Sequence, residues 1–255
     1  MKSCKSFLAR CEFGVRRVAQ LGFSLVELLV AMGIGLFLVL VISLLFVNSK
    51  RTYLAQDANS RIQETARFAH ELLSTQARMA GYREIRFDPI GPNLFAPVSG
   101  VTFAGTAIAG TEGASNAPDT MTFSFDSTVD CLGQAAASPA VNLFRINASR
   151  QLECLGNGGA NAGVLLDGVE DMQVLYGQPV GGSFAYLPAN SSTMANVTGV
   201  RVCLMLRTLA DASRRATDVG QSQQYWDCQG NSQTASDGFL RRPVTMTIDL
   251  RNRLP

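Results

Sequence analysis

Apolar side chains fill almost every position from Phe23 to Val47, a run of 25 residues that contains one charge, Glu27. About 20 apolar residues in a helix are enough to cross a bilayer. A basic segment with five Lys or Arg residues and one acid precedes the run. The pattern predicts a membrane-spanning helix over 23–47. Its single carboxylate is unusual, because an ionised group in hydrocarbon is costly unless it has a partner or a function.

After Val47 the chain becomes polar but keeps a helical period. Apolar residues recur at helical spacing at Tyr53, Leu54, Ala58, Ile62, Ala66, Ala69, Leu73 and Ala77, with Phe68, Leu72 and Met79 beside them. Gly81 follows these residues and favours a helix end. We therefore predict one helix from Phe23 to about Ala80. Its second half, within 48–82, is amphipathic and packs on a globular domain formed by 83–255.

Alternating apolar and polar residues predict strands in that domain. The predicted strands are Thr120–Phe125, Val141–Ile146, Gln151–Cys154, Val164–Leu166, Val169–Tyr176, Val200–Leu206 and Val244–Leu250. A glycine-rich turn is expected at 156–163 and a polar loop at 210–238. Many strands after one long helix favour an α+β fold with an antiparallel sheet over alternating βαβ units.

Four cysteines lie in the predicted globular domain, and two more, Cys4 and Cys11, lie in the basic segment. An even number in an exported domain indicates disulfides, and four cysteines allow three pairings. The favoured pairing is Cys131–Cys154 with Cys203–Cys228, because each bridge closes a short local loop. Buried free thiols are the alternative. A zinc site is disfavoured, because the close C-x-x-C pairs that such sites use are missing.

Three ordinary explanations of the N-terminal segment fit poorly. A secretory signal has a shorter apolar region followed by a small-residue cleavage site, whereas Asn48-Ser49-Lys50-Arg51 follows this run. A lipoprotein signal needs a small residue before its cysteine, and Arg10 precedes Cys11. A plain membrane anchor explains the length of the run but not Glu27.

The segment Gly22-Phe23-Ser24-Leu25-Val26-Glu27-Leu28, behind a basic stretch, resembles the class III signal of type IV prepilins and pseudopilins. Three further stretches, 49–53, 61–69 and 78–83, resemble the helix of PilW-type minor pilins and its exit. Residues 166–177 and 248–252 match patterns seen in the larger minor pilins and pseudopilins. Residues 84–165 carry almost no resemblance. The proline that kinks the helix of many major pilins is absent.

The resemblance implies that residues 1–22 are a leader, cut after Gly22 by a prepilin peptidase that also methylates the new amine of Phe23. It implies that Glu27 serves assembly. The chain would sit in the inner membrane with a cytoplasmic N-terminus and a periplasmic domain, then in the pilus. Its partners would be minor and major pilins, the peptidase, the assembly platform and, before assembly, the lipid bilayer.

Composition adds little chemistry to this outline. Without residues 1–22 the chain has 17 basic and 19 acidic groups, a balance unlike that of nucleic-acid binders. No catalytic residue, metal site or cofactor is predicted, since the sequence lacks nucleophile-elbow and P-loop motifs and has a single histidine, His70, expected to face solvent. Asp167, Glu170 and Asp171 are expected to form a solvated acidic turn rather than a calcium site.

Three functions remain open at this point. The first is a minor structural subunit of a type IV pilus that helps to initiate assembly and so supports twitching motility, adhesion or DNA uptake. The second is a pseudopilin of a type II secretion system. The third is an adhesin, although the sequence offers no aromatic or basic patch that singles out a ligand. The basic pairs Arg214-Arg215 and Arg241-Arg242 are expected to be solvated.

Overall fold

The computed structural model describes residues 22–83, 106–114, 117–209 and 223–253. These residues form two units, one up to Ser49 and one from Lys50 onward. Helix α1 spans Leu25–Met79. The strands of the second unit are β1 Ile108–Thr111, β2 Thr120–Phe125, β3 Ala140–Ile146, β4 Gln151–Gly156, β5 Gly163–Asp167, β6 Val169–Val180, β7 Ser183–Leu187, β8 Gly199–Arg207, β9 Gln223–Trp226, β10 Ser232–Ala235 and β11 Arg241–Asp249.

All strand pairs are antiparallel, and the described strands form three sheets. A five-stranded sheet has the order β1-β2-β3-β4-β5, a four-stranded sheet has the order β11-β8-β6-β7, and β9 and β10 form a separate hairpin. The predicted α+β class is confirmed. The predicted polar loop over 210–238 is wrong in its described part, because β9 and β10 lie there.

The hydrophobic core joins the second half of α1 to both larger sheets. Ile62, Ala69, Leu73 and Ala77 pack in one cluster with buried strand residues. These strand residues include Phe123, Phe144, Met172, Tyr176, Val200, Val202, Leu204 and Leu206. The even-numbered apolar residues of β8 are fully buried on one face, as predicted, and Cys203 and Met205 on the other face are buried as well.

Two aromatic residues of α1 were placed on the wrong face. Tyr53 and Phe68 are 66% and 51% exposed, although the helical pattern assigned them to the packed stripe. A helix turns about 100° per residue, which puts Tyr53 about 180° from the buried Ile62. The stripe that packs on the domain is narrower than predicted, and it consists mostly of alanine, isoleucine and leucine.

The C-terminal end of α1 is capped by a side chain that comes from a distant part of the sequence. Gly81 adopts φ +75°, a left-handed conformation that glycine accepts without strain. The Asn252 side-chain amide donates hydrogen bonds to the carbonyl oxygens of Arg78 at 3.0 Å and Met79 at 3.3 Å. The last carbonyl oxygens of a helix have no hydrogen-bond donor within the helix, so Asn252 supplies the missing donor.

We expect Asn252→Ala to lower the free energy of unfolding by about 1 kcal/mol, the net value of a hydrogen bond in a folded protein. Arg251→Ala is the matched control, because Arg251 is exposed in the same turn and should have a much smaller effect. Thermal unfolding of the protein in detergent, followed by circular dichroism, measures both. Equal stability of the two variants would contradict the capping role.

Candidate assembly site

The N-terminal end of α1 has a serine cap and an acidic residue in its first turn. The amide of Leu28 donates to the carbonyl oxygen of Ser24 at 3.1 Å, which makes Ser24 the N-cap residue immediately before α1. Serine is favoured at this position. Glu27 lies in the first turn. Its negative charge is favourable there, because the amide dipoles leave partial positive charge at a helix N-terminus.

The residues around Glu27 are apolar and exposed. Phe23 is 83% exposed, Leu25 is 75% exposed, and nearly every side chain as far as Ser49 is exposed. A helix that is apolar on all sides is stable only inside a bilayer or packed among other helices. By length and composition α1 could cross a membrane. This end of the chain therefore needs lipid or neighbouring helices to cover it.

Gly22, Phe23 and Glu27, the predicted processing and assembly residues, all lie within this one segment. Gly22 and Phe23 precede the helix, so their backbone is not held in helical hydrogen bonds of the first turn. Glu27 lies four residues after Phe23. A chain that began at Phe23 would therefore carry its amine close to this carboxylate.

The four cysteines of the globular domain form two disulfides, and these are the two pairs favoured from the sequence. Cys131 is bonded to Cys154 of β4, and Cys203 of β8 is bonded to Cys228 in the turn between β9 and β10. Each bridge thus fixes a loop to a central strand.

Asn142 connects the first disulfide to the helix. This side chain is fully buried. Its Oδ1 accepts a hydrogen bond from the amide of Cys131 at 2.9 Å, and its Nδ2 donates to Oε1 of Gln76 on α1, also at 2.9 Å. Sequence analysis missed this contact, because only the fold brings Gln76 and Asn142 together.

A partly buried charge cluster replaces the solvated acidic turn and the solvated basic pair that were predicted. The Arg241 side chain is 6% exposed and that of Glu170 is 15% exposed. Arg241 donates two hydrogen bonds to Glu170, at 2.6 and 2.9 Å, and two to Asp237, at 2.8 and 2.6 Å. The prediction holds for Asp167 and Arg242, which are exposed. Arg214 and Arg215 lie outside the described residues.

The charges of this cluster shift one another's pKa values. Hydrogen bonds from Arg241 lower the pKa of Asp237 to about 2. Hydrogen bonds to Asp237 and then to Glu170 raise the pKa of Arg241 further above its usual value. Burial lowers the pKa of the neighbouring Arg207. The ion pairs of Arg241 connect β11 to Glu170 of β6 and to Asp237 in the loop before β11, so the cluster ties these parts of the domain together.

Within the described ranges, no three His, Cys, Asp or Glu side chains lie close enough to hold a metal ion. His70 is exposed on α1. The main features of the described residues are two disulfides, a packed helix and an uncovered apolar segment.

Two family models match parts of the sequence. The family model described as "Prokaryotic N-terminal methylation motif" matches residues 17–43. The model described as "Type IV Pilus-assembly protein W" matches residues 134–252. No curated protein matches the sequence. A type IV-like pilin from Thermus thermophilus is similar in structure, with 14% identity, a TM-score of 0.44, and coverage of 76% of this chain and 98% of that chain.

The chain therefore resembles type IV pilins: an N-terminal methylation motif lies on an uncovered apolar helix, and a disulfide-bonded antiparallel domain follows it. The PilW model matches just under half of the chain, so the globular domain is similar to that of PilW-type pilins. The PilW match begins at residue 134. The expectation that 84–165 carries almost no family resemblance is therefore wrong for its last part.

Proposed function

We propose that this protein is a minor structural subunit of a type IV pilus that helps to initiate pilus assembly. The observation that carries the proposal is the exposed apolar half of α1 with Glu27 as its single charge, joined to a separately folded domain. The PilW match supports a pilus over a type II secretion system. Twitching motility, adhesion or DNA uptake would then depend on the pili that this subunit helps to form.

The proposed sequence of events follows from the two environments that can cover the apolar segment. Residues 23–47 first lie in the inner membrane, with the N-terminus in the cytoplasm and the globular domain in the periplasm. A prepilin peptidase cuts after Gly22 and methylates the amine of Phe23. The helix then leaves the lipid for the filament core. There, apolar helices of other minor and major pilins surround it in place of the lipid acyl chains.

We expect the mature chain to begin at Phe23 with a methylated amine. Intact-mass analysis of protein purified from membranes checks this directly. Gly22→Val should retain residues 1–22, because a branched side chain would obstruct the scissile bond. Gly14→Val, at the other glycine of the basic segment, should be processed normally. An unprocessed wild-type chain would contradict the proposal.

The assembly role is tested by deleting the gene and scoring two independent outcomes in the same strain. Surface pili counted by electron microscopy should fall sharply and should return when the gene is restored. Export of folded enzymes through the type II system should be unaffected. Normal piliation together with impaired enzyme export would instead identify a pseudopilin.

A further inference from the structure

The hairpin of β9 and β10 presents an exposed tryptophan on a polar, uncharged face. Trp226 is 62% exposed. It pairs across the hairpin with Ser232, and Gln224 pairs with Thr234. Because side chains alternate along a strand, Trp226, Gln224, Ser232 and Thr234 share one face. All four are exposed and none is charged.

The turn of this hairpin is fixed in place. Asp227 Oδ1 accepts hydrogen bonds from the amides of Gln229 at 3.1 Å and Asn231 at 2.7 Å, and Oδ2 accepts from the Gln233 side chain at 2.9 Å. The next residue, Cys228, is bonded to Cys203 of β8. The tryptophan therefore stands on a turn that is hydrogen-bonded internally and covalently attached to a central strand.

The opposite face of the hairpin rests on the domain. Tyr225 points to the side opposite Trp226, and the guanidinium of Arg241 lies 5.4 Å from the centre of the Tyr225 ring. Arg241 is itself held by Glu170 and Asp237. On this face Tyr225 contacts the domain through Arg241, while the four residues of the face that carries Trp226 are exposed.

We infer that this face, which we call the Trp226 platform, binds a neutral oligosaccharide. The flat face of an indole ring is electron-rich, and one face of a pyranose presents weakly positive C–H groups that stack on it. The amide of Gln224 and the hydroxyls of Ser232 and Thr234 can exchange hydrogen bonds with sugar hydroxyls beside the stacked ring. A platform already fixed by a disulfide loses little conformational entropy on binding.

The charge of the platform selects among partner classes. Nucleic acid and anionic lipid surfaces are bound through lysine and arginine, and the four side chains of the platform include neither. A stable protein interface buries on the order of 800 Å² on each partner around an apolar centre. The platform offers one large apolar side chain among three polar ones. An uncharged polar ligand with an apolar ring face fits it best, and this inference does not depend on the role in pilus assembly.

The chain contains a single tryptophan, so its fluorescence reports on the platform alone. We would titrate the full mature protein in detergent micelles with cellohexaose, chitohexaose and maltohexaose. At least one of these neutral sugars should produce a saturable blue shift of the emission at millimolar concentrations or below. No saturable change with any of the three would overturn the inference, as would an equal response to anionic lipid vesicles or to a sulfated hexasaccharide.

Variants test whether the sugar binds to the Trp226 platform or to another exposed aromatic side chain. By isothermal titration calorimetry, Trp226→Ala should weaken binding about tenfold or more, as expected for the loss of a stacked aromatic side chain. Trp226→Tyr keeps a ring and should retain most of the affinity. Phe184→Ala removes a 54% exposed aromatic side chain of β7 and should bind like the wild type. Unchanged binding by a folded Trp226→Ala protein would place the sugar elsewhere.

Discussion

Glu27→Ala is expected to leave leader cleavage largely intact and to reduce incorporation into pili sharply, with mature protein accumulating in the membrane. Cleavage should continue, because Gly22 and the apolar run are unchanged. Incorporation should fall, because Glu27 is the one charge between residues 23 and 47. Immunoblots of membrane and sheared-pilus fractions measure both steps in the same cells.

The reason lies in the cost of burying charges. In the proposed pathway, cleavage after Gly22 creates a positive amine at Phe23, and the filament core removes both this amine and Glu27 from water. An ion pair in an apolar interior is tolerated, whereas either charge alone is strongly unfavourable. The carboxylate of one subunit can meet its own amine or that of a neighbour displaced along the filament. The pair would therefore specify axial register more than it adds stability, since other registers leave both charges unpaired.

Two variants control this experiment. Glu27→Asp keeps the charge but shortens the side chain, and its incorporation should be intermediate. Glu64→Ala removes an acid from the amphipathic half of α1, where Glu64 is 72% exposed and paired with Arg67 at the surface. Exposed pairs contribute little, so this variant should assemble normally. Wild-type amounts of Glu27→Ala in sheared pili would rule out the assembly role of Glu27.

Arg241→Ala should be the most destabilising single change in the charge cluster, with a loss of about 3–5 kcal/mol in the free energy of unfolding, the usual cost of removing one partner of a buried ion pair. The variant leaves Glu170, which is 15% exposed, without its shortest ion pair. It also removes the contact between Arg241 and the Tyr225 ring, which supports the hairpin of β9 and β10. Chemical unfolding of the mature protein in detergent gives the value.

Arg242→Ala is the matched control, because Arg242 is the next residue and is exposed. It should change the free energy of unfolding by a few tenths of a kcal/mol at most, as expected for surface substitutions. If both variants unfolded alike, the cluster would have no special role in stability.

The same cluster predicts how stability depends on pH. Asp237 has a pKa of about 2 in the folded protein, against about 3.9 in an unfolded chain. Its contribution is complete above the unfolded value and is lost as the pH falls through the folded value. Arg241→Ala removes the cause of this shift. The difference in stability between wild type and Arg241→Ala should therefore shrink between about pH 4 and about pH 2.

Local patterns were enough to predict the elements with strong periodicity. The long apolar run and its amphipathic continuation predicted α1, whose bounds are Leu25 and Met79. Strict alternation predicted β2 at Thr120–Phe125. The short loops between cysteines pointed to the two bridges, since their partners are only 23 and 25 residues apart. In each case the determining residues are close together in the sequence.

The sequence failed where the determining partner is distant. Glu170 and Arg241 each looked like a solvated surface charge, because nothing near either residue indicates the other. The hairpin of β9 and β10 was taken for a loop, since its residues are polar and its stability depends on the bond to Cys203 and the support of Arg241. The exposed platform around Trp226 was missed for the same reason.

The sequence alone therefore determined the part of the protein whose behaviour depends only on residues that are close together in the chain. An apolar run of 25 residues with one acid requires lipid or other helices around it, whatever domain follows. Tertiary structure alone decided which polar groups have hydrogen-bond or ion-pair partners and which side chains are exposed to solvent. It brought Asn252 to the end of α1, joined Asn142 to Gln76, buried Arg241 between two carboxylates, and left Trp226 facing solvent. These outcomes depend on distances between residues far apart in the chain, which hydrophobic periodicity does not encode.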